Sequence, residues 1–251
     1  CWGSVGVAAL SALFFFTAGI SHWKILTLAW AALPLANGIF FLFVPLKKLV
    51  ADGEERLSVG KLLKNKSFWM FAILILCAGA CESAIVQWAS TFVESSLGIE
   101  KALGDLIGPA LFAATMGISR VIYGKFGDRL NLDGMMLFSG FLCVASYLVM
   151  ALVPVPAVAL AGMALCGFSV GIMWPGTYSS ASATVKGGGN AMFALLALGG
   201  DLGCVGGPAV VGFLSDRFGG DLETGILFAL IFPVILTVVM LLKHKKHKSK
   251  L

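Results

Sequence analysis

Charge is what this 251-residue sequence has least of. Asp, Glu, Lys and Arg together make up 12%, about half the ~25% of soluble domains. Hydrophobic residues reach 59% before any of the 31 glycines is counted, against roughly 45–50% with glycine included in soluble chains. A soluble chain of this size has too little polar cover for so much apolar surface, which excludes a soluble enzyme, a disordered chain and a nucleic-acid module. Histidine is equally scarce: of three, two lie in the last eight residues. With no Cys-x-x-Cys pair either, metal and redox centres have no ligand set, and no cofactor is expected. No nucleophile–base pair shares a face, so no enzyme is expected. The apolar runs are continuous rather than alternating, which argues against barrel strands.

What is present is a series of long uncharged runs, at 1–23, 25–46, 134–185 and 224–242. A hydrocarbon core of ~30 Å needs about 20 apolar residues as helix. The run 134–185 is long enough for two spans, and Val-Pro-Val-Pro at 153–156 divides it. Three further runs are interrupted by a lone charge inside them: Glu82 in 67–93, Arg120 in 105–123, which opens on Asp105, and Asp201 in 191–215. The pattern predicts an all-α integral membrane protein of about eight helices, at 1–20, 24–46, 67–93, 105–123, 134–153, 156–185, 191–215 and 224–243.

These spans sort the basic residues fifteen to three across the membrane. The richer side, with the loop 47–66 and the tail 244–251, is expected to be cytoplasmic, in the cell membrane. The chain begins at Cys1 inside an apolar stretch without a basic n-region, so a signal peptide is not expected; a truncated sequence lacking earlier helices is. The terminal Ser249-Lys250-Leu251 matches a peroxisomal address, but lysine-rich tails also attract anionic headgroups.

Several motifs resemble the major facilitator superfamily. Gly124-Lys-Phe-Gly-Asp128-Arg129 is similar to its Gly-x-x-x-Asp-Arg signature, although Leu130, Asn131 and Asp133 stand where the family continues with glycine and basic residues. Helix 67–93 with Glu82 and Trp88 resembles the fucose/glucose/mannose permease branch. So do Gly167-Phe-Ser-Val-Gly171-Ile-Met-Trp-Pro175 and Gly199-Gly-Asp-Leu-Gly203-x-x-Gly-Gly207-Pro208. The resemblance implies that 1–46 are the last two helices of an N-terminal bundle, 47–66 the central loop and 67–243 the six-helix C-terminal bundle. It further implies secondary active transport by alternating access, with substrate near the midplane, and a cytoplasmic gate at Arg120, Gly124, Asp128 and Arg129. A non-transporting sensor or scaffold of the same fold is the alternative reading.

Candidate solute contacts follow from the residues themselves. An ionisable group inside a span is a functional-site candidate by default. Glu82 lies midway along its helix, where it either meets a solute or hydrogen-bonds a neighbouring helix. Ser83 and Gln87 share one face, and with the Trp88 indole they suit a sugar-like ligand. Gly199, Gly203 and Gly207 form a small-residue stripe for close helix packing. Asp201 falls about 160° from that stripe, which points it to an interior or aqueous space. Its role, as proton carrier, solute contact or partner of a basic residue, stays open. Gly167, Gly171, Trp174 and Tyr178 step by four, three and four along one face; the glycines suit packing, and the aromatics suit either stacking on a ligand or packing. Pro175 and Pro208 are expected to bend their helices. The partners this reading calls for are a small-molecule solute, a coupling proton or cation, and membrane lipid, with no nucleic acid.

Overall fold

A computed structural model describes residues 19–44, 57–127 and 131–248, with Leu10, Ser11, Leu13, Phe14 and Thr17 before them. Most of the expected span 1–20, the loop positions 47–56, and Asp128 and Arg129 of the signature lie outside the described residues. No strand occurs among the described residues. Their helices are α1 (Trp23–Phe41), α2 (Val59–Leu63), α3 (Lys66–Ser95), α4 (Lys101–Phe126), α5 (Leu132–Leu152), α6 (Pro156–Val170), α7 (Met173–Thr184), α8 (Gly189–Arg217), α9 (Leu222–Ala229) and α10 (Ile231–Lys248). Among the described residues, seven stretches are long and apolar enough to cross a membrane. The fold is all-α, with the expected spans extended by a few residues at most ends.

Two expected helices are broken, each near a proline. The run 156–185 divides into α6 and α7 at Gly171–Ile172, four residues before Pro175. The last span divides into α9 and α10 at Leu230, three residues before Pro233. Proline has no N–H for the carbonyl four residues back, so the helical ladder loses a rung there. Pro208 leaves α8 continuous.

The bundle is assembled around α3, which packs on α4, α6, α7, α8, α9 and α10. Lipid gives no hydrophobic drive for helix association, so close contact at small residues has to supply it. A Cβ on Gly203 would collide with the Leu76 carbonyl, and one on Gly207 would sit 2.8 Å from the Ala80 Cα. The outer faces of the helices show lipid acting as solvent: Phe138, Phe213 and Val205 are 62%, 61% and 73% exposed, while Phe71, Phe112 and Tyr147 are fully buried. The Tyr147 hydroxyl donates to the Cys81 carbonyl (2.9 Å), so its polar atom is satisfied in the core. On α1 no residue is buried, and its Trp30 indole donates to Ser11 Oγ at 3.2 Å.

Candidate functional site

The polar groups of the interior gather where α6 gives way to α7. Pro175 cannot donate to the Gly171 carbonyl, and the Arg120 Nε takes that donor's place at 3.1 Å. The bond is made possible by close approach. A Cβ at Gly171 would lie 2.8 Å from the Met116 carbonyl and from Ser119 Cβ, and one at Gly167 would lie 2.6 Å from Thr115 Oγ1. Both glycines therefore seat α6 on α4 and leave no room for a side chain.

Arg120 also stands within electrostatic reach of Glu82, although the two form no ion-pair contact. Glu82 is partly buried, sixteen residues from the start of α3 at Lys66 and thirteen from its end at Ser95. At 1.5 Å per residue it is within a few ångströms of the helix midpoint. Its carboxyl makes no hydrogen bond among the described residues. One turn before it, Gly79 meets α8: a Cβ there would collide with the Gly200 carbonyl and lie 3.1 Å from Cys204 Sγ. Gly200 in turn lies under the Trp174 ring, 2.9 Å from Cζ2 for an added Cβ. Glu82, Arg120, the Gly171 break and Trp174 thus occupy neighbouring layers of the bundle.

The other candidates are placed differently. Trp174 and Tyr178 have ring centroids 6.1 Å apart, and Tyr178 and Phe193 5.7 Å. The Trp174 indole nitrogen is buried and has no hydrogen-bond partner among the described residues. Asp201 is exposed on α8, within electrostatic reach of Tyr178. Ser83 is partly buried and Gln87 exposed on the same side of α3. Trp88 instead faces α8, where its Nε1 donates to the Pro208 carbonyl at 3.1 Å and its ring covers Gly212. Of the residues expected at a gate, Arg120 bonds inward and Gly124 is exposed with open space around it.

Sequence reasoning missed a second polar node at the basic end of the bundle. Lys243 on α10 hydrogen-bonds both Asp133 of α5 and Ser180 of α7, and its ammonium lies 5.6 Å from the centre of the Phe71 ring on α3. Asp133 was visible as a departure from the signature; its partner lies 110 positions away, beyond any local pattern. The thiols of Cys81, Cys143 and Cys166 also meet in the core, with Ser169 beside them. No group among the described residues is arranged to hold a metal ion.

Comparison with known proteins adds two findings. The family described as Major Facilitator Superfamily matches residues 1–208 and again 110–251. The chain is similar to "Membrane protein MosC" of Rhizobium meliloti, at 25% identity over 209 residues covering 83% of this chain and 50% of that protein. It therefore spans about half the length of this curated relative.

Proposed function

Because the chain belongs to the major facilitator superfamily, we propose that it forms part of a secondary active transporter that moves a small polar, sugar-like solute by alternating access. In this reading residues 67–243 are one of two bundles that rock about a solute held near the midplane, and the basic side is cytoplasmic. A coupling proton or cation would accompany the solute.

The observation that carries the proposal is the Glu82 layer. A carboxyl near the middle of a span, without a hydrogen bond and within electrostatic reach of a guanidinium, is costly unless something polar reaches it. Solute hydroxyls suit it, since each can donate to Glu82 and accept from Arg120. The discontinuous helix beside it supplies backbone groups of the kind transporters use at substrate sites. The Trp174 indole offers one further free donor.

The test is Glu82→Gln in the full-length protein. Loss of a charge-assisted hydrogen bond predicts about ten- to a hundredfold weaker solute affinity in counterflow, with the pH dependence of accumulation unchanged. Loss of uphill accumulation with counterflow intact would instead make Glu82 the coupling group. Wild-type affinity and accumulation together would remove it from the site.

A further inference from the structure

The bundle carries a groove on its outer face, between α3 and α8, apart from the Glu82 layer. Its volume is about 250 Å³, below the ~300–1,000 Å³ of sites that enclose a small molecule. Leu63, Trp69, Ile73, Leu195, Leu198 and Leu202 are among its walls, and every lining residue is apolar. The groove is open: Leu198 and Leu202 are 56% and 60% exposed. Along α3 its walls run from Phe68 to Leu76, about 12 Å of helix axis pointing from the bundle's end into the hydrocarbon.

The head of the groove is basic. Leu63 closes it, and the Trp69 Nε1 pins the α2 segment there by donating to the Leu63 carbonyl at 2.7 Å. Lys64 follows Leu63 directly, with Lys61 and Lys66 beside it, all three exposed. The Leu57 N–H donates to the Gly187 carbonyl at 2.9 Å, which holds the loop carrying exposed Lys186 against the segment that leads into α2. Asp133, the one acid described at this end of the bundle, is already held by Lys243. An apolar slot lying along the membrane normal under four lysines complements one class of molecule in both parts.

We infer that this groove is a binding site for an anionic phospholipid, with an acyl chain between α3 and α8 and the phosphate against Lys61, Lys64, Lys66 and Lys186. A zwitterionic lipid would fill the slot equally well but gain little from the rim, because attraction to near-surface lysines depends on net headgroup charge. The site is separate from the Glu82 layer, and its occupancy does not depend on transport.

Trp69 reports on it directly. The full-length protein and its W69F variant are reconstituted into phosphatidylcholine vesicles doped with phosphatidylglycerol or phosphatidylcholine bearing brominated acyl chains, which quench indoles they touch. The Trp69-dependent quenching is expected at about tenfold lower mole fraction of the brominated phosphatidylglycerol. The K61Q/K64Q/K186Q variant, altered only at exposed positions, should lose that preference while both lipids still quench. Quenching at equal mole fractions would reduce the groove to ordinary lipid contact and overturn the proposal. Absence of quenching by either lipid would mean that another helix covers the groove, and a preference surviving in the triple variant would place the headgroup elsewhere; either result also overturns it.

Discussion

Pro175 leaves the Gly171 carbonyl without its helical donor, and Arg120 fills that valence from a different helix. The pairing makes a specific prediction. Arg120→Ala strands a carbonyl in a site too crowded for a side chain, so it should cost about 1–3 kcal/mol in reversible unfolding. Pro175→Ala restores an N–H to the ladder, and in that background the cost should fall by about 1 kcal/mol. An equal cost in both backgrounds would mean that the bond carries no weight. Glu82 and Asp201 could be singled out in the sequence because a lone acid in a long apolar run has few alternatives. The placement of Arg120 could not, since it depends on where the 156–185 helix breaks. Pro175 hinted at a bend, but only the packed bundle supplies the guanidinium that stabilises a full interruption.

At the scale of helices, glycine spacing and glycine contact are different things. Gly203, Gly206 and Gly207 lie on one helix, yet an added Cβ collides with the Leu76 carbonyl at Gly203 and meets nothing within 4 Å at Gly206. Gly203→Ala should therefore lower stability by about 1–3 kcal/mol through overpacking. Gly206→Ala should be neutral or stabilise by up to ~1 kcal/mol, because it removes a flexible residue from a helix interior. Thermal melts of the two variants in one detergent compare them directly. The four-residue stripe predicts the side of α8 that packs, but not Gly200, which makes a second contact, with Gly79 of α3 and with Trp174. A stripe names a face, whereas the crossing angle of two helices decides which of its residues touch.

The Lys243 node ties α10, α5, α7 and α3 together at one end of the bundle. With side chains 15% and 23% exposed, the Lys243–Asp133 pair lies between a surface ion pair and a buried one. Asp133→Asn or Lys243→Met should each cost about 1–2 kcal/mol, and the exchange Asp133→Lys with Lys243→Asp should recover part of that loss. Because Ser180 is on the half-helix α7, the loss should appear first as faster amide exchange over residues 173–184. A uniform rise over all helices would show a general loss of stability instead.

For the whole molecule, the distribution of charge and the count of spans constrain each other. Six of the described spans separate Ser58 from the end of α10, and one separates Ser58 from Glu100. An even number of crossings returns the chain to the side it left. Ser58 and the tail should therefore share a side, and Glu100 should face the opposite one. Lysine and arginine concentrate at the end shared by Ser58 and the tail, and the bias that orients membrane proteins predicts that this side is the cytoplasmic one. The interrupted helices do not alter this parity, since α6 with α7 and α9 with α10 each cross once. Single cysteines introduced at Ser58 and Ser249 in a cysteine-free background should react with an impermeant maleimide only after the cells are opened. One at Glu100 should react in intact cells. Ser58 and Glu100 reacting from the same side would mean that α3 does not cross. The Glu82 layer would then lie outside the bilayer, where an unpaired carboxyl needs no solute to explain it.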